Sequence, residues 1–171
     1  YPEYHGLFTG MIKSWRSAWG EGDFPFAFVQ LANYMTPQTE AVEKGSWAEF
    51  RAAQTATLAL PNTTMAVIID IGEGDNIHPR DKKDVGKRLA AGVLANTYHQ
   101  AIELPSGPMY KSITFEGTTA RVHFDYGSGL KVRGETLRSF AIAGDDRIFY
   151  PAAARIDGET VIVSSPGVEK P

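Results

Sequence analysis

The first hundred residues alternate between short, continuous apolar runs and longer segments in which apolar residues recur every three or four positions. The apolar runs lie at residues 26–31 and 65–71. A strand covered by helices on both faces is apolar throughout, so both runs predict strands of a parallel sheet. Helices and strands in alternation, joined by short connections, are typical of a doubly wound α/β fold.

Three helices are predicted around these strands. Apolar residues with a helical period mark them at residues 7–19, 46–60 and 79–98. Proline is favoured at the first position of a helix, so Pro79 is the predicted start of the third. Trp15 and Trp19 fall on the apolar stripe of the first helix and are predicted to lie in the core. Because glycine weakens a helix, Gly86 and Gly92 are predicted to serve close approach to the sheet.

The hydrophobic period changes after Pro105. Apolar and polar positions then alternate over residues 113–124 and 155–164, which is the pattern of strands with one buried face. Asp157 and Gly158 form an Asp-Gly pair, a strong signal for a tight hairpin turn. The sequence therefore predicts two parts, an α/β part and an antiparallel β module, at residues 1–105 and 106–171.

Polar residues follow both predicted strands of the α/β part. Parallel strands place their carboxyl ends at one edge of the sheet, and ligands of open α/β sheets bind in the crevice there. Gln30 and Asn33 stand at the end of the first run and are candidate substrate contacts. The second run leads into a polar loop whose charged or titratable side chains are Asp70, Glu73, Asp75 and His78.

His78 is the candidate catalytic residue of this loop. It lies at a predicted strand-to-helix junction, where the partial positive charge of a helix N-terminus disfavours the imidazolium. A histidine that is neutral near pH 7 can act as a general base. Asp75, three residues earlier, could accept a hydrogen bond from the other ring nitrogen and fix the tautomer. The same spacing also fits a helix-start histidine beside a solvated aspartate, so the pair alone identifies no enzyme.

Composition limits the classes of partner. The 171 residues include no cysteine and carry a formal charge of -3, which excludes thiolate chemistry and gives no electrostatic reason for binding nucleic acid or an anionic membrane. No apolar run approaches the roughly 20 residues of a membrane span. The oxygen atoms of the polar loop could hold a divalent cation, but the loop lacks the regular ligand alternation of a calcium site. No metal is therefore predicted.

Five stretches of the chain carry a family pattern. They are WGEGDFPFAFVQLANY from Trp19, W-x-E-F-R-x-A-Q from Trp47, DIGEGDNIHPRDKKDVGKRLA from Asp70, GPMYKS from Gly107 and SFAIAGD from Ser139. Together they resemble the sialate O-acetylesterase family of the SGNH-hydrolase superfamily, over nearly the whole chain. The resemblance implies that residues 1–105 are the C-terminal part of a doubly wound, flavodoxin-like esterase domain in a secreted or periplasmic protein.

The resemblance also implies a carbohydrate O-acetylesterase that works by serine acyl transfer without a cofactor. His78 would be its general base and Asp75 the acid that orients it, with Asp70 or Glu73 as alternatives because the family varies before Ile-His-Pro. No serine here stands in a Gly-Asp-Ser or Gly-x-Ser-Asn setting. The nucleophile is thus absent from this chain and is expected in an N-terminal part of the same enzyme, as a second chain or a further segment.

The expected partner is an O-acetylated carbohydrate, either a sialic acid or a plant-wall glycan. A non-catalytic carbohydrate-binding fragment is the alternative hypothesis. In that case the α/β part is a remnant and the β module contacts the sugar, with Tyr126 or Tyr150 as an aromatic platform.

Overall fold

The computed structural model describes residues 2–38, 40–41 and 46–171, and of Ser46 the backbone alone. The described residues form two compact units. The first comprises residues 2–37 and 46–106, and the second comprises the rest. In the part of the chain thus described, no helix is both long enough and apolar enough to cross a membrane.

The first unit alternates helices and strands. Its elements are α1 (Pro2–Trp19), β1 (Phe26–Val29), α2 (Ser46–Ala56) with a 3₁₀ turn at Thr57–Ala59, β2 (Thr63–Ala66) and α3 (Lys82–Asn96). β1 and β2 pair in parallel, with Phe26 opposite Thr63 and Val29 opposite Ala66. The prediction of a parallel pair between helices is confirmed.

β2 is shorter than its apolar run predicts. The strand ends at Ala66, and the chain turns where the backbone N–H of Ile71 donates to the carbonyl of Ile68 over 3.3 Å. Ile68 is buried from within this turn, whereas Ile69 is 46% exposed. An apolar run therefore continues past the strand because the turn also contributes a side chain to the core.

The core contacts of α1 differ from those predicted. Ile12 is fully buried, but Trp15 and Trp19 are 46% and 65% exposed, so their predicted core position is wrong. A charged side chain, Arg16, is buried instead. Its guanidinium donates to the carbonyl of Phe24 over 2.7 Å and to that of Pro61 over 2.8 Å. Buried charge is tolerated where hydrogen bonds satisfy it, and here those bonds hold α1 to the segments that precede both strands.

The two glycines of α3 have different environments. Gly92 is buried, and a Cβ there would lie closer than 3.0 Å to the side chain of Thr64 on β2. Close approach to the sheet is therefore confirmed for Gly92. A Cβ at Gly86 would meet nothing within 4 Å, so the same prediction for Gly86 is wrong.

The second unit is antiparallel. Its strands are β3 (Met109–Glu116), β4 (Thr119–Asp125), β5 (Ala141–Ile142), β6 (Tyr150–Pro151), β7 (Ala153–Asp157) and β8 (Thr160–Ser164). Four of them form a sheet in the order β3-β4-β8-β7, and β5 pairs with β6. The hairpin predicted at Asp157 and Gly158 is confirmed by the pairing of β7 with β8, and β3 pairs with β4 in a second hairpin. The two turns place Gly158 and Gly117 at φ values of 60° and 62°. The core of this unit consists of Ala120, Ile142, Val161, Val163 and Val168.

Candidate active site

The loops that follow β1 and β2 meet at the carboxyl edge of the parallel pair. In the first loop, the backbone N–H of Met35 donates to the carbonyl of Gly74 in the second over 2.8 Å. Ala32 and Asn33 pack so closely on Gly72 that a Cβ there would clash with both side chains. The carboxamide oxygen of Asn33 is buried there without a hydrogen-bond partner among the described residues. The edge at which a site is expected is thus built from both loops.

α2 fixes the first loop in place. The indole N–H of Trp47 donates to the carbonyl of Ala32 over 2.6 Å. The backbone N–H of Leu31 donates to the side-chain oxygen of Gln54 over 2.9 Å. These bonds satisfy backbone groups that lie beyond the end of β1 and have no partner in the sheet. They give the W-x-E-F-R-x-A-Q stretch a role, which is to hold the loop that carries Asn33.

Gln30 has a structural environment. The residue is 7% exposed, and its amide nitrogen donates to the carbonyl of Arg51 over 3.1 Å and to the hydroxyl of Thr55 over 2.9 Å. Both acceptors belong to α2. Gln30, a predicted substrate contact, is therefore already bound to the neighbouring helix through its amide nitrogen. Asn33, the other predicted contact, lies at the loop edge.

The loop that carries His78 is closed by its own side chains. The backbone N–H of His78 donates to the side-chain oxygen of Asn76 over 2.9 Å, as in an Asx turn. The backbone N–H of Arg80 donates to Glu73 over 3.0 Å, and the two side chains form an ion pair of 3.4 Å. Residues 73–80 are thus held as a compact loop with the histidine near its end.

The helix after this loop begins later than predicted. α3 starts at Lys82, and the carboxylate of Asp81 caps it by accepting a hydrogen bond from the backbone N–H of Asp84 over 3.0 Å. The predicted start at Pro79 is wrong because the aspartate satisfies a free N–H of the first turn. His78 therefore lies four residues before the helix rather than at its first position.

Two of the three candidate acids are bound to arginines. Asp70 accepts two hydrogen bonds from Arg88 of α3, one of them over 2.7 Å. The same guanidinium donates to the carbonyl of Val67 over 2.8 Å, and the bond with Asp70 raises the pKa of Arg88. Glu73 is held by Arg80. Asp70 therefore ties the start of the loop to α3, whereas Glu73 closes the loop on itself.

Asp75 and His78 are both exposed. Within the described residues, neither the carboxylate of Asp75 nor the imidazole of His78 forms a hydrogen bond, so the predicted pair is not joined in this structure. The described residues also contain no group of three or more histidine, aspartate or glutamate side chains that could hold a metal ion. Asp75 remains the acid of the loop whose oxygen atoms are unengaged.

No described serine hydroxyl lies within hydrogen-bond distance of a histidine ring. The hydroxyl-to-imidazole contact that the described residues do contain joins Thr114 to His123 over 3.2 Å on the exposed face of β3 and β4. No carboxylate bonds to that imidazole in this part of the chain. The structure thus places an acid and a histidine on one loop without a bond between them, and no described serine hydroxyl bonds to that histidine.

Several residues of this site were not predicted from sequence. Gly72, Asn76 and Arg88 shape or hold the loop, yet only Asn76 has a local signal, since asparagine often bonds to the backbone two residues on. Arg88 has no such local signal. Its partner Asp70 is 18 residues away, a separation at which no spacing rule applies.

The fold is shared with a known esterase. A crystal structure of a carbohydrate acetylesterase from Xanthomonas citri matches this chain with a TM-score of 0.89 and 44% sequence identity, over 99% of this chain and 39% of that one. No profile of a known protein family matches the chain. The α/β unit and the β unit described above thus correspond to a part of a carbohydrate acetylesterase.

Sequence relatives identify the family. The sialate O-acetylesterases of Mus musculus, Rattus norvegicus and Homo sapiens are 31%, 30% and 27% identical to this chain over aligned regions that cover 82% of it. The chain spans between 28% and 29% of the length of these curated relatives. Over that portion, it belongs to the sialate O-acetylesterase family.

Proposed function

We propose that this chain supplies the histidine and the acid of a carbohydrate O-acetylesterase whose serine nucleophile lies outside these 171 residues. The observation that carries the proposal is the loop with Asp75 and His78 at the meeting edge of two strand-end loops, in a chain of the sialate O-acetylesterase family. On this proposal, β1 and β2 are two strands of a larger, doubly wound SGNH-type sheet. The substrate is an O-acetylated carbohydrate.

His78 has two tasks in this reaction. It takes the proton of the serine hydroxyl as the serine oxygen attacks the acetyl carbonyl, and it then gives that proton to the departing sugar oxygen. A water molecule next attacks the acetyl-serine, with its proton passing to His78. The tetrahedral intermediate then collapses, the serine oxygen leaves with the proton returned by His78, and acetic acid is released and ionises in solvent, so the histidine ends neutral.

Asp75 is the acid that orients His78 in this proposal. The choice among three carboxylates rests on their contacts. Asp70 is bound to Arg88 and Glu73 to Arg80, and each would have to leave an arginine to reach the imidazole. Asp75 breaks no described contact by turning toward it. In the assembled site, a bond from the imidazole N–H to Asp75 would stabilise the imidazolium that forms.

Kinetics of the complete enzyme test the roles of these residues. Replacing His78 with Ala should lower kcat by about 10³-fold or more, since the serine loses its base and the leaving oxygen its acid. His99→Asn is a matched control, because His99 is exposed with a φ of 53°, which asparagine accepts. Near-normal kcat for His78→Ala would show that the loop is only structural.

The acid is assigned by three single variants. Asp75→Asn should lower kcat nearly as much as the histidine change while leaving the fold intact. Asp70→Asn and Glu73→Gln should instead lower the stability of the loop and reduce kcat less. If either of those two variants matches His78→Ala in kcat and Asp75→Asn does not, that residue is the orienting acid and Asp75 is not.

A further inference from the structure

A cleft of 270 Å³ opens in the second unit beside the β5–β6 pair. Ligand pockets commonly measure about 300 to 1,000 Å³, so this one suits the end of a molecule rather than a whole buried ligand. Two segments line it. They contribute an aromatic ring, Tyr150, a glycine beside it, Gly167, and the charged residues Asp145, Asp146, Glu169 and Lys170.

Gly167 lies on the face of the Tyr150 ring. A Cβ at position 167 would be 2.8 Å from Cδ1 of the ring and 3.1 Å from each of the two ring atoms that flank it. The two flanking distances are short enough to place this point above the ring, because an approach within the ring plane would leave both flanking atoms farther away. Any side chain at 167 would therefore cover or displace the ring. Glycine leaves Tyr150 held in place and 37% exposed.

We infer that this cleft binds a neutral saccharide, with the ring of Tyr150 against the C–H face of a sugar. An aromatic ring offers a flat apolar surface, and carboxylates accept hydrogen bonds from hydroxyl groups. The lining holds three carboxylates and a single lysine, a balance that repels an anionic sugar. The described residues form no group that could hold a metal ion, so these carboxylates are not read as a cation site.

The inference rests on the proposed function for its substrate class, since it assumes a protein that acts on carbohydrate. It adds a binding site whose residues all belong to the β unit and none of them to the His78 loop. It also favours a neutral glycan over a sialic acid as the ligand of this cleft, because three carboxylates and one lysine line it. Tyr126, the other platform considered from sequence, is not among the residues that line the cleft.

Saturation-transfer NMR on the complete enzyme tests this assignment with two unacetylated probes, neutral xylotetraose and anionic 3′-sialyllactose. Xylotetraose should receive saturation and sialyllactose should not. Tyr150→Leu keeps an apolar side chain but removes the flat ring, and should weaken xylotetraose binding by about tenfold. Gly167→Ala should weaken it similarly without removing any group of the present cleft.

Phe115→Leu is the matched control, because Phe115 is 58% exposed on β3 and outside the cleft. It should leave binding unchanged. Circular dichroism establishes that each variant is folded. Unchanged binding in folded Tyr150→Leu and Gly167→Ala, no binding of xylotetraose, or equal binding of sialyllactose would each overturn the assignment. Because no acetyl group is hydrolysed in this assay, its result is independent of the His78 kinetics.

Discussion

Alanine at position 92 tests how closely α3 approaches β2. The new Cβ would lie closer than 3.0 Å to the Thr64 side chain, whereas carbon atoms in favourable contact are roughly 3.5 to 4.0 Å apart. Either α3 or β2 must therefore shift, and such a shift in a packed core lowers the free energy of unfolding by about 1 to 3 kcal/mol. Alanine also gains about 1 kcal/mol over glycine in helix propensity.

Gly86→Ala is the matched control for this effect. It lies in the same helix, gains the same propensity, and meets nothing within 4 Å. The gain in helix propensity is the same for both variants and cancels in the comparison. The free energy of unfolding of Gly92→Ala should therefore be about 1 to 3 kcal/mol lower than that of Gly86→Ala. Urea titration followed by tryptophan fluorescence measures the difference. All three tryptophans, Trp15, Trp19 and Trp47, belong to the first unit, so this signal reports the packing in question.

The substitution Thr64→Ser supplies the rescue. Serine lacks the methyl group that the new Cβ would meet but keeps the hydroxyl that accepts a hydrogen bond from Asn96 over 3.1 Å. In a double-mutant cycle, most of the Gly92→Ala penalty should disappear in the Thr64→Ser background. Equal urea midpoints for Gly86→Ala and Gly92→Ala, or a penalty that persists in that background, would refute the close approach.

Three further outcomes are expected. Gly72→Ala should lower kcat of the complete enzyme, since its Cβ would clash with Asn33. An unchanged kcat would show that the Asn33 side chain can move away without affecting the reaction. Arg121 lowers the pKa of both Glu116 and Asp157 through hydrogen bonds. The contribution of these contacts to the stability of the second unit should therefore be fully present above the ordinary pKa values of about 4 and be lost as pH falls through the lowered values. Arg121→Met should flatten that acid dependence, as circular dichroism against pH would record. The isolated 171-residue chain should not hydrolyse p-nitrophenyl acetate, because no described serine hydroxyl bonds to a histidine ring. Turnover by the pure chain would contradict the proposal that the serine nucleophile lies outside it.

Local features of the fold were predictable because neighbouring residues decide them. Gly20 ends α1 with a φ of 68°, and the Asp-Gly pair at Gly158 forms its hairpin. The parallel pairing of β1 with β2 followed from two apolar runs separated by a helix. The predicted start of α3 was wrong because Pro79 and Asp81 both satisfy rules for a helix start, and the structure shows that the aspartate forms the cap.

The environment of the candidate site was less predictable. Sequence placed Asp75 and His78 on a loop after a buried strand, and the resemblance gave them roles. Spacing put Asp75 first among the three acids, but it gave no sign that arginines hold Asp70 and Glu73. Arg88 reaches Asp70 across 18 residues, and no local rule relates the two.

The sequence by itself determined the element order, the two kinds of sheet, the family and the loop that carries His78, because hydrophobic period, turn residues and motif are properties of short stretches. Only the tertiary structure decided that Arg16 is buried while Trp15 and Trp19 are exposed, and that the carbonyl it binds belongs to Pro61, 45 residues away. It also decided that Asn33 packs on Gly72 and that Gly167 lies on the ring of Tyr150. These contacts join residues distant in the chain, and their energies depend on burial and distance, which exist only once the chain has folded.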